Sequence, residues 1–73
     1  MTDTALLNEL IDKSGYKRSF IAKYIGLSAY GLAKKINNVN EFKTGEINGL
    51  CKLLKINSLE EKDRIFFANK VDY

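Results

Sequence analysis

The chain has no histidine, no proline and a single cysteine, Cys51. One cysteine cannot form an internal disulfide, and without histidine there is no zinc site of the usual ligand types. Without proline, helix punctuation falls to glycine, asparagine and the hydroxyl residues. No apolar run approaches a transmembrane span, and residues 1–20 lack the hydrophobic centre of a signal peptide, so a cytoplasmic protein with no membrane association is expected. There is no glycine-rich phosphate loop and no nucleophile elbow. The carboxylates are scattered over expected helix starts, where the helix dipole accounts for them. No constellation of catalytic groups is left, so no enzyme activity, catalytic residue, metal or cofactor is expected.

What remains fits one small helical domain spanning residues 1–73, with its core over about residues 4–68. Seventy-three residues with 45% apolar content allow a single packed core. A chain of this length buries only about 60% of its unfolded surface. The net charge of +3 is unevenly spread. Residues 13–35 hold Lys13, Lys17, Arg18, Lys23, Lys34 and Lys35 with no acid, whereas residues 1–12 hold three acids and no base. Such a basic segment is either a solvated face or a footprint for an anionic partner.

Periodicity predicts five helices and no strand. The first runs to about Lys13, capped by Asp3 or Thr4, with Leu6, Leu7, Leu10 and Ile11 as its apolar stripe and Ser14-Gly15 as its exit; Met1 to Asp3 reads as a frayed start. Tyr16 is placed to pack onto the next helix. That helix covers about Lys17 to Ile25, with Phe20, Ile21, Tyr24 and Ile25 as its stripe. Gly26 supplies the positive φ of a tight turn, four residues after the small Ala22, where two steeply crossing helices leave little room. Ser28 caps the third helix, and Leu32 and Ile36 face inward. Asn37 to Asn40 reads as a loop and Phe42 as a plug for the core. Thr44 is the expected cap of the fourth helix, which carries Ile47, Leu50, Cys51 and Leu54 on one face; Cys51 is thereby a core thiol. Ser58 and Glu61 form a capping box for a fifth helix from about Leu59 to Ala68. Its adjacent Ile65, Phe66 and Phe67 cannot all face inward, and the tail to Tyr73 reads as loose.

The segment from Phe20 to Ile36 has the pattern of a helix-turn-helix, whose second helix commonly enters the DNA major groove. The alternative is a plain helical hairpin in a small bundle. In the former case the outward face of the second helix presents Ser28, Ala29, Tyr30, Ala33, Lys34 and Asn37.

From about Leu6 to Phe67 the chain resembles the compact five-helix domain of lambda-repressor and Cro-type phage regulators. The segments that carry the resemblance are Gly26-Leu-Ser28, Lys35-Ile-Asn37, Glu41-Phe42, Gly45-Glu-Ile47 and Arg64-Ile-Phe-Phe67. Together they resemble small Cro-like and modulator-of-repression (antirepressor) proteins from the genetic switches of temperate phages of Gram-positive bacteria. The resemblance implies an all-α lambda-repressor-like fold containing a helix-turn-helix, in a protein working inside a bacterial host cell. For a DNA binder it implies that Ser28, Ala29, Tyr30, Ala33, Lys34 and Asn37 face base edges. Lys17, Arg18, Asn38, Lys43 and Thr44 would contact phosphates. For a modulator it implies that the cognate phage repressor is the partner.

The outward face departs from a strong base reader. It offers two alanines and a tyrosine where Arg, Lys, Asn or Gln usually make bidentate contacts. Gly31, inside the second helix, should cost it about 1 kcal/mol relative to alanine. Weak DNA affinity of its own and action through the repressor are therefore expected first. A Cro-like protein binding double-stranded operator DNA directly, as a dimer, is the alternative, and an antitoxin the third reading.

Overall fold

A computed structural model describes residues 1–68, and they form five α-helices with no strand among the described residues: α1 Thr4–Ser14, α2 Arg18–Tyr24, α3 Ala29–Ile36, α4 Thr44–Leu54 and α5 Leu59–Phe66. The expected tail beyond Ala68 lies outside the described residues. Each helix contributes to one core: Leu7 and Ile11 from α1, Ile21 and Ala22 from α2, Leu32 and Ile36 from α3, Ile47 and Leu50 from α4, Ile65 and Phe66 from α5. Ile56, in the connector between α4 and α5, is buried with them. No helix among the described residues is long and apolar enough to cross a membrane.

The helix ends follow local chemistry. Asp3 accepts from the Leu6 N–H at 3.0 Å and Ser28 from that of Gly31 at 3.0 Å. Ser58 does the same for Glu61 at 3.0 Å. These three side chains satisfy amide donors that the helix itself leaves open. At the other ends, Gly15 (φ 78°) and Gly26 (φ 81°) take the left-handed conformation, as do Asn38 (φ 63°) and Lys55 (φ 58°). After Gly26, Asn38 and Lys55 the chain doubles back. Leu27 N–H bonds the Ala22 carbonyl, Val39 that of Lys34 and Ile56 that of Cys51, each at 2.8 Å. These are the six-to-one closures of Schellman caps.

Several expectations are corrected. The inward face of α2 is Ile21, Ala22 and Ile25, while Phe20 and Tyr24 lie about half exposed. A stripe at i, i+1, i+4, i+5 is wider than a two-turn helix buries here, and the edge carrying the large rings turns outward. The helix ends at Tyr24, and α5 at Phe66, short of Ala68. Thr44 is the first helical residue of α4, and Lys43 occupies the cap position, with its N–H bonded to Glu46 Oε1 at 2.9 Å. Met1 to Asp3 is pinned. Asp3 N–H donates to the Ile65 carbonyl at 2.7 Å, and Thr2, buried, exchanges two hydrogen bonds with the Asn38 side chain at 2.8 and 2.9 Å. As expected, the three adjacent apolar residues do not all face inward: Ile65 and Phe66 are buried, and Phe67, one position past the end of α5, is exposed. Phe42 is half-buried, edge-on to Phe66 at 5.6 Å.

Candidate functional site

The outward surface of α3 is built by its own cap. Ser28 starts the helix from extended backbone, so Ala29, Tyr30, Ala33 and Asn37 project away from Leu32 and Ile36 into solvent. Tyr30 is 75% exposed, among the most exposed large side chains in the described chain. Lys34, half-buried, lays its ammonium over the Tyr30 ring at 5.3 Å from the centroid. At an exposed site such a cation–π contact is worth about 0.5–1 kcal/mol and pairs the ring with the next turn of its own helix. Gly31 lies under the cap, where a β-carbon would come within 3.2 Å of Ser28 Oγ. Beside Tyr30 the two alanines leave a hollow of about 80 Å³, lined by Asn8, Arg18, Ala29, Ala33 and Asn37 and floored by Leu32 and Ile36. Asn8, on α1, had no part in the sequence reading; a polar residue on an inward-leaning turn of α1 was its only signal.

The residues expected at phosphates divide into two groups. Lys17, Lys43 and Thr44 are exposed. Arg18 is engaged by α1 at the surface: Nη1 donates to Asn8 Oδ1 at 2.9 Å and Nη2 meets Asp12 Oδ1 at 3.0 Å. Asn38 directs its amide to Thr2, and a further contact to Thr4 Oγ1 lies at 3.4 Å. The left-handed backbone that Asn38 tolerates is what aims its side chain at the N-terminus.

Lys35, counted in the basic segment, is buried. Its Nζ meets Glu46 Oε1 at 2.6 Å, and that same oxygen accepts from Lys43 N–H. Burial alone would raise the Glu46 pKa. The Lys35 hydrogen bond, the Lys43 N–H and the charges of both lysines outweigh it and hold the carboxyl below its ordinary value. The N-terminus of α4 thus already carries an anion supplied by its own first turn.

Cys51 sits half-buried against the core, as its place in the α4 stripe predicted. Burial pushes its thiol above the ordinary value, against the pull of Lys62 and with the help of Glu61. A raised pKa keeps the sulfur protonated and weakly nucleophilic. No group of three or more metal-ligating side chains occurs among the described residues.

No family model, curated protein or solved structure matches this chain. The phage-switch reading therefore rests on the sequence resemblance alone, and only the choice of surface rests on the geometry above.

Proposed function

We propose that the chain is a transcriptional regulator of a phage lysis–lysogeny switch that acts as an antirepressor or modulator. It binds the cognate phage repressor through the outward face of α3 and alters the repressor's hold on its operator. The observation that carries this reading is the make-up of that face: a 75% exposed Tyr30 next to a hollow lined by Ala29 and Ala33. A rigid aromatic next to a pocket is the usual form of a protein-interface anchor. The α2–turn–α3 unit, with Gly26 in the left-handed conformation and Ser28 as cap, supports a helix-turn-helix used here as a protein-binding element.

DNA contact is the weaker component. Lys17, Lys34 and Lys43 remain as cations around α3 without an ion pair among the described residues. Neutralising three phosphates gives a slope of about −3 in log K against log salt, too little for tight binding at physiological salt.

The test is fluorescence anisotropy of labelled switch-region DNA from the same phage, at two salt concentrations. The protein alone should show only weak, sequence-independent binding with that shallow slope. Added to a preformed repressor–DNA complex, it should release the DNA or change the signal saturably. Tyr30→Ala should weaken this effect by about 2 kcal/mol, roughly thirtyfold. Saturable, sequence-specific binding by the protein alone would instead establish a Cro-like operator reader and sink the proposal.

A further inference from the structure

Away from α3, three exposed rings form a ladder along α2. Tyr16, Phe20 and Tyr24 stand at i, i+4 and i+8, with ring centroids 5.3 and 6.2 Å apart. Each is between 42 and 48% exposed, so a continuous apolar edge of about 12 Å, two helical turns, faces solvent. It continues onto α4. Tyr24 and Ile25 lie against Gly49, where a β-carbon would come within 3.0 Å of Ile25 Cγ2, and Tyr16 shares a hollow with Leu53, Leu54 and Lys55. The α3 reading uses none of these residues.

We propose that this α2–α4 face is a second docking surface, whose occupant is an acidic amphipathic helix of a partner protein. The spacing fits a helix. Rings at every fourth residue make a continuous ridge that can seat in the groove between two side-chain rows of a helix laid alongside. The charge selects an acidic one. Lys17 and Lys23, the sequence neighbours of Tyr16 and Tyr24, are exposed, and Lys55 lines the hollow that Tyr16 shares with α4. Neither α2 nor α3 contains an acid, and the only acid of α4, Glu46, is turned into the Lys35 pair. The surface thus offers an apolar seam with cations beside it and no free carboxylate on the helices that build it, complementary to an apolar stripe flanked by Asp and Glu.

Other occupants fit less well. The rings of Tyr16 and Phe20 stack on each other, 28° from parallel, which covers the faces a nucleobase would need. A second copy would set this basic face against its own likeness. Alternatively it would engage the acids of α5 head to tail, a contact that closes no dimer.

The experiment uses the full chain labelled with ¹⁵N and a synthetic amphipathic peptide of about 18 residues, long enough to hold a helix. One version carries Glu on both flanks of a leucine seam; its twin carries Lys. The Glu peptide should produce saturable shift changes at Tyr16, Phe20, Tyr24, Gly49 and Leu53, with affinity at least about tenfold above that of the twin. Phe20→Ala should weaken it by about tenfold or more. Tyr30→Ala should leave it unchanged, so that failure here is distinguishable from failure of the α3 proposal. The double reversal Lys17→Glu/Lys23→Glu, at exposed positions that do not enter the core, should invert the peptide preference whatever Phe20→Ala does to the fold. Equal affinity for both peptides, shifts confined to α3, concentration-dependent shifts without peptide, or the same shifts with an oligothymidine would each overturn the proposal.

Discussion

Lys35 and Glu46 form a largely buried ion pair, and its removal should cost the protein a substantial share of its stability. The two side chains are 11 and 12% exposed and meet at 2.6 Å. Glu46→Ala strands the Lys35 ammonium and leaves the Lys43 N–H without its acceptor. Breaking a fully buried pair costs about 3–5 kcal/mol. The residual exposure lets Lys35 recover some water and lowers its share to about 2 kcal/mol, and the lost cap adds about 1. A domain of this size has a total stability of about 4–10 kcal/mol. A loss near 3 kcal/mol corresponds to a Tm drop of about 10–20 °C. Glu46→Gln keeps a cap acceptor but not the charge, and Lys35→Met keeps the stem but not the ammonium; each alone should cost about 2 kcal/mol. The double variant leaves no stranded charge and should lie within about 1 kcal/mol of the parent. Urea denaturation followed by helical circular dichroism measures all four corners of the cycle. The Glu46 pKa is depressed in the fold, so its stabilisation is present above the carboxyl's unfolded value and disappears as pH falls through the lower folded value. The parent should therefore lose stability on acidification below about pH 4.5 more steeply than the double variant. Additive single effects, or parallel acid limbs, would show that the pair contributes nothing and refute this reasoning.

Gly49→Ala should stay within about 1 kcal/mol of the parent in the same assay, because the helix-propensity gain of about 1 kcal/mol offsets the few tenths of an ångström that Ile25 Cγ2 must yield to a β-carbon 3.0 Å away. Lys55→Gly should stabilise by roughly 0.5–1 kcal/mol, since it removes a side chain from the left-handed position that closes α4; a loss of stability would place Lys55 in an interaction of larger value. Asn38→Ala should cost about 2 kcal/mol through the left-handed backbone and the two bonds to Thr2. Its amide protons at Thr2 and Asp3 should then lose protection from hydrogen exchange, while DNA affinity per folded molecule stays the same.

Sequence reading worked best where the chemistry is local. Asp3, Ser28 and Ser58 act on amides three residues away, and Gly15 and Gly26 act on their own backbone, so each could be placed from its immediate neighbours. The inward pair Leu32 and Ile36 followed from helical period, as did the exposure of one of Ile65, Phe66 and Phe67, though not which one. What stayed hidden depends on residues distant in the chain. Lys35 looked like one more surface base because its partner lies eleven positions on, and the N-terminus looked frayed because the residues that hold it, Asn38 in the turn after α3 and Ile65 in α5, are distant in the chain. Lys55 gave no warning of a positive φ, since lysine has no local preference for it; the chain closes there because Ile56 must enter the core. On the α3 face, residue identities were legible, but the engagement of Arg18 and Asn38 was not.

These hidden contacts change what the basic segment can do. The sequence assigns residues 13–35 six cations and no acid, a charge density suited to a phosphate backbone. In the folded chain Lys13 pairs with Glu9 and Arg18 with Asp12 at the surface, and Lys35 is neutralised inside by Glu46. Surface pairs are weak, so Lys13 and Arg18 are only partly withdrawn; Lys35 is withdrawn completely. Half of the apparent electrostatic footprint is thereby directed inward or sideways. The cations left over flank two aromatic surfaces, Lys34 with Tyr30 on α3 and Lys17 with Lys23 along the α2 ladder. Cations set beside exposed rings favour an acidic, partly apolar protein surface over a phosphate lattice, because burying the rings supplies most of the free energy and the charges select the partner. On the two proposals made above, a segment that looks basic in one dimension resolves, in three, into two surfaces better matched to protein than to DNA.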